Sequence, residues 1–167
     1  MTIVTGLHMR WRGLLALAAL LGGCASVPAP APSTPPQWSG RLALVIHTDP
    51  VQRASAGFDL RGQAQRGELW LHGPLGQTLA QVRWDEDGAW LERPDAPAQR
   101  YPDVAALTEA LTGAALPLAT LLDWLQGRPS EAPGWTLLAL DADQGRLQAQ
   151  RHSPQPRVEL RLVWQRP

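Results

Sequence analysis

Cys24 is the only cysteine among 167 residues, and it is the side chain best placed for covalent chemistry. A lone thiol exposed in an oxidising compartment is a liability, so a cysteine kept at one site is best explained by a sulfur that is covalently capped. The other reactive groups form no site. His8, His47, His72 and His152 share no metal-ligand spacing, and the chain has no HExxH, CxxC or GxSxG motif. Asp85-Glu86-Asp87 is a carboxylate cluster, but a solvated turn before Gly88 accounts for it more simply than a cation site. All 15 basic residues are arginine. Without lysine there is no Walker A loop and no Schiff-base chemistry. The expectation is a non-enzymatic protein that uses neither cofactor nor metal.

The residues before Cys24 say what caps it. Met9-Arg10-Trp11-Arg12 is basic, Leu14 to Leu21 is continuously apolar, and Gly22-Gly23 leads into the cysteine. This is the order of a secretory signal. The apolar run is far shorter than the ~20 residues of a spanning helix. Leu21-Gly22-Gly23-Cys24 resembles the lipobox of bacterial lipoproteins. That resemblance implies a signal peptide over residues 1–23 and an acylated Cys24 at the mature N-terminus. The alternative is an uncleaved anchor with a buried or unpaired thiol. Each buried CH₂ contributes about 0.8 kcal/mol, so several acyl chains anchor a protein essentially permanently. Ala25 stands where such lipoproteins commonly carry an Asp for inner-membrane retention, which points to the outer membrane. Translation from Met9 would give a more ordinary signal. Residues 24–37 then read as a proline- and alanine-rich tether, stiff and extended at ~3.1 Å per residue.

Removing residues 1–23 leaves 144, enough for one domain with a core, expected over residues 38–167. Arg10 and Arg12 leave with the signal, so 13 Arg face 15 carboxylates, a net charge of −2. That balance argues against a nucleic-acid partner and against a polybasic membrane grip.

Strand periodicity dominates the body. Leu42, Leu44 and Ile46 alternate after Trp38, and Asp49-Pro50 marks a turn. Residues 56–60, 68–72 and 78–84 alternate again; Leu69 and Leu71 face opposite to Trp70. Asp85-Glu86-Asp87-Gly88 predicts a hairpin turn returning through residues 89–92. The period then becomes helical. Asp103 is an N-cap before Val104, Leu107 and Leu111, and Gly113 stops that helix. Pro117 sits in the first turn of a second helix, with Leu118, Leu121, Leu122 and Leu125 as a stripe before Gly127. Residues 135–140, 146–151 and 158–164 are strands. The expected fold is mainly β with inserted helices: a strongly curved, unclosed antiparallel β-barrel capped by a helical lid. Most arginines should face solvent; Arg41 is the candidate for a hydrogen bond near a cavity mouth.

Gly73-Pro74-Leu75-Gly76 holds a leucine between proline and glycine on a tight loop. That leucine either projects into solvent or folds back to plug the sheet.

Three blocks now carry a family resemblance: Trp38-Ser39-Gly40-Arg41-Leu42-Ala43-Leu44, Leu69 through Gln77, and Ala115-Leu116-Pro117-Leu118 with Leu121 through Gly127. In that order behind a lipobox, they resemble the LolB family from about Trp38 to Trp135. The resemblance implies a LolA/LolB-like barrel with an apolar interior for acyl chains. It implies an outer-membrane lipoprotein, facing the periplasm, that accepts acylated lipoprotein cargo from a LolA-type carrier and inserts it into outer-membrane lipid. A monomer is expected. The resemblance also implies that Leu75 is a membrane-inserting foot. Phe58, Leu69, Leu71, Leu79, Leu121 and Trp124 are candidates for cavity or lid contacts, though each taken singly could equally be ordinary core. The C-terminal third departs from the family pattern, because Gly145-Arg146-Leu147 leads soon to Val158. A shortened hairpin there leaves strand count and cavity size open. Two other readings stand beside this one: a structural lipoprotein with a filled core that binds a protein partner, and a lipid-directed hydrolase.

Overall fold

The computed structural model describes residues 35–165. Cys24, the leader and nearly all of the tether lie outside the described residues. The chain runs β1 (Gln37–Ile46), β2 (Gln52–Gly62), β3 (Gly67–His72), β4 (Thr78–Asp85), β5 (Gly88–Arg93), β6 (Ala96–Tyr101), α1 (Val104–Thr112), α2 (Leu118–Leu125), β7 (Trp135–Asp141), β8 (Arg146–Arg151) and β9 (Val158–Gln165).

The described strands form one antiparallel sheet of nine, ordered β6-β5-β4-β3-β2-β1-β9-β8-β7. Its two edges, β6 and β7, do not pair, so the barrel is unclosed. The α1–α2 segment joins those edges in sequence. Side-chain alternation sets the inner face. Register pairs Leu42 of β1 with Ala56 of β2 and Leu162 of β9, and Leu60 of β2 with Leu69 of β3. Inner residues of the strands pack with both helices into one main apolar cluster. Trp38, Trp84, Trp124 and Trp164 are buried in it, whereas Trp90 lies on the outer face, with the Arg100 guanidinium 5.8 Å from its ring centre. Arg41 is exposed on that outer side, directly across from Val163, which corrects the expectation of a hydrogen bond near a cavity mouth.

Both helices begin and end for the expected reasons. The Asp103 carboxylate accepts the Ala106 N–H at 2.7 Å, and Gly113 stops α1 in the left-handed region at φ 69°. Pro117 differs slightly from expectation: it is the N-cap residue of α2, with extended backbone, rather than part of the first turn. Sequence patterning missed β6 entirely. Its residues Ala-Pro-Ala-Gln-Arg-Tyr have no apolar alternation because the strand lies at an edge and is largely exposed. Pro97 is tolerated there because an edge strand has one side with no ladder to donate to.

Candidate functional site

A cavity of about 470 Å³ lies inside the curved sheet. It is lined by inner residues of β1 to β5, β7 and β9, together with α1 and the segment after it. A flat sheet could not bring Leu91 of β5 and Leu160 of β9 to one void, so the cavity is a product of the curvature. Its walls are mainly leucine, alanine, isoleucine, valine and tryptophan, with Gln52, Arg53, Ser55, Arg93, Thr108 and Thr112 as the polar lining. The volume falls in the roughly 300–1,000 Å³ range of small-molecule sites.

The lid over this space is α1 and its exit, not α2. Leu107 and Leu111 of α1, then Ala114 and Leu116, line the cavity. Three bonds fix that cover. The Thr108 hydroxyl accepts the Leu116 N–H at 2.9 Å, the Trp135 indole donates to the Ala115 carbonyl at 2.8 Å, and Arg151 donates to the Gly113 carbonyl. By contrast α2 is core. Trp124 is 1 % exposed and its indole donates to the Ser130 carbonyl at 2.8 Å.

The candidate residues therefore divide. Leu69, Leu71 and Leu79 line the cavity. Phe58 and Trp124 are buried in the main cluster, and Leu121 packs against it; none of the three lines the cavity. Leu42, Leu44, Ala54, Ala56, Leu107 and Trp135, which the sequence did not mark as cavity candidates, do line it. One signal was present: Ala54 and Ala56 are small residues at inner positions of a strand, opposite Leu44 and Leu42.

The mouth is marked by lining residues that also face solvent. These are the first half of β2, Leu79 at 41 % exposure and Leu111 at 46 %. Beside it stands the β3–β4 hairpin. Leu71 and Leu79 sit on the cavity, and the five-residue loop between His72 and Thr78 carries Leu75 away from it. Leu75 is 93 % exposed, so it projects rather than plugging the sheet. The loop is a tight turn. The Gly76 N–H donates to the Gly73 carbonyl at 3.0 Å, the Gly73 N–H donates to the Gln77 carbonyl at 2.8 Å, and Gly76 takes φ +81°. Pro74 presets the first corner, and glycine accepts the left-handed position without strain. At the foot of the hairpin, His72 and Asp59 meet at 2.8 Å across the β2–β3 pair.

The described residues contain no cluster of histidine, cysteine or carboxylates able to hold a metal ion. The cavity lining suits apolar binding.

The family model described as outer membrane lipoprotein LolB matches residues 36–163, nearly the whole barrel. The chain belongs to the LolB family. Proteins named outer-membrane lipoprotein LolB from three bacteria show the extent of the likeness. That of Ralstonia nicotianae is 38% identical over 122 residues, 67% of this chain and 58% of the relative. That of Cupriavidus pinatubonensis is 38% identical over 144 residues, 80% and 68%. That of Bordetella petrii is 36% identical over 147 residues, 84% and 69%. The matched part of this chain thus spans 58% to 69% of those relatives' lengths. The LolB match includes all three blocks of the resemblance, and it reaches through the compact C-terminal region to β9. That region holds three strands, and residues 152–157 join β8 to β9.

Proposed function

We propose that this chain accepts N-terminally acylated lipoproteins from a LolA-type periplasmic carrier and passes them to the outer membrane. It shelters their acyl chains in the cavity and stays tethered through an acylated Cys24. The supporting observation is an apolar cavity left unfilled, its mouth beside a leucine held out in solvent. A scaffold with no hydrocarbon to house gains nothing from such a void, because the lining residues forgo packing contacts. LolB membership supports a receptor role over that of a hydrolase.

The mechanism needs no cofactor. Acyl chains pass from one water-free environment to another, so their full exposure to water is never incurred. Direction follows from increasing affinity toward the bilayer. Leu75 is the foot: buried at the acyl boundary, one leucine contributes about 1.5–3 kcal/mol, enough to bias docking without locking the protein down.

Three measurements test this. Purified protein displaces a fluorescent fatty acid, or carries acyl material through purification; failure of both sinks the cavity reading. Leu75→Glu keeps its fold and fatty-acid binding but delivers lipoprotein to liposomes at least ~10-fold more slowly, the loss of that burial. Normal delivery by the variant removes the foot. Mass spectrometry of the mature N-terminus reports on Cys24: a free thiol there contradicts the anchor.

A further inference from the structure

β2 is an interior strand of the sheet, yet its first five residues have a strand neighbour on one side only. Gln52–Ala56 pair with Leu42–Ile46 of β1. On the other side β3 pairs with β2 only from Gly57 onward, because at His72 the chain turns off into the Leu75 hairpin. Among the described residues no other strand lies along this edge. In antiparallel pairing successive residues direct their backbone groups alternately to the two sides. Every second residue of Gln52–Ala56 therefore presents its N–H and C=O outward. Residues 52–55 are exposed, and all five line the mouth of the cavity.

We propose that this edge receives, as an added strand, the extended polypeptide segment that follows the acylated residue of a cargo lipoprotein. The proposal rests on the acyl-cavity reading above. Acyl chains seated in the cavity leave the residues attached to them at its mouth, alongside an uncovered row of donors and acceptors. Strand addition uses main-chain bonds, so one edge can hold segments of differing sequence. The protein's own tether is a restricted occupant: Pro28, Pro30 and Pro32 offer no N–H, so it can pair in one phase only, and it joins the fold at the far end of β2, where the Pro36 carbonyl accepts the Gly62 N–H at 3.0 Å. A second copy is also disfavoured, since full antiparallel overlap of two such edges centres on Ala54 and sets the two Arg53 side chains on one face as diagonal neighbours.

The test uses the whole mature protein and three lipopeptides: a diacylated cysteine followed by six non-proline residues, and the same molecule N-methylated at alternate residues in either phase. Binding is read by displacement of a fluorescent fatty acid, and backbone protection by hydrogen exchange. The unmethylated probe is expected to protect amides within 53–56. One methylated phase is expected to bind about tenfold more weakly, the loss of one or two net backbone bonds. Equal binding of all three probes without protection at 53–56 overturns the strand addition and leaves the cavity standing. No displacement by any probe means the cavity reading itself has failed. Protection at 53–56 that appears without probe and grows with protein concentration assigns the edge to a second copy instead.

Discussion

The side-chain oxygen of Gln77 accepts the backbone N–H of Leu75 at 3.1 Å. The same amide lies against Gly73, where a Cβ would come within 2.3 Å of it. Gln77 thus braces the turn from within, and Leu75 stays out in solvent without its own amide left unpaired. Gln77→Met removes the acceptor at similar length; Gln77→Glu keeps one. We expect the Met variant to lose several-fold in delivery to uncharged vesicles, with fatty-acid binding and melting temperature unchanged, and the Glu variant to recover it. Equal delivery by all three would show that the turn holds Leu75 unaided.

Ala56 sits on the cavity wall opposite Leu42, at the height where β3 has already departed. A phenylalanine there has room to enter the void. Ala56→Phe is expected to weaken fatty-acid binding about tenfold or more while the urea midpoint moves little, because the ring fills space instead of displacing packed neighbours. Unchanged binding would place the acyl site elsewhere.

Gly40 of β1 pairs with Trp164 of β9. A Cβ at that position would stand 2.0 Å from the Val163 carbonyl oxygen. Backbone has to move to relieve it, so Gly40→Ala should cost about 2–4 kcal/mol in urea unfolding. Gly57→Ala is the control. Its Cβ would meet nothing nearer than 3.6 Å, and the change should be close to neutral. Equal stability of the two variants would contradict that close contact.

Glu159 carries the pH prediction. A hydrogen bond from His47 at 2.9 Å holds its carboxyl below the ordinary 4.5. Burial opposes the shift, while Arg157, His47 and Arg161 add to it. A carboxyl lowered in the folded state binds fewer protons than the unfolded chain, so its contribution is present above the unfolded value and lost as pH falls through the folded one. Glu159→Gln should therefore be less stable than wild type at pH 7, and the gap should close as the pH falls below 4.5. The effect is small, because the pair is partly exposed. A gap that widens in acid would reverse the assignment.

Much of this molecule could be read from residue order. Alternation in β4 and β9 reflects burial on one face only, and strands of that kind announce themselves. Asp103, Gly113 and Gly127 mark helix ends because unpaired helix termini need such residues. Strand β6 left no trace, since an exposed edge imposes no pattern. Cavity walls were legible only in part, because a leucine facing packed atoms and a leucine facing empty space obey the same periodicity. Leu69 and Phe58 looked alike in sequence, and only one borders the void.

The order of residues by itself determined the strand-rich plan, the helical insertion and the turn that carries Leu75, because each follows from local backbone chemistry or from a fixed repeat. Tertiary structure decided where the curved sheet leaves space, that α1 and not α2 covers it, that Leu75 points outward beside the mouth, and that β3 stops short of half of β2. Those are relations between distant segments, and no local preference encodes a gap between them.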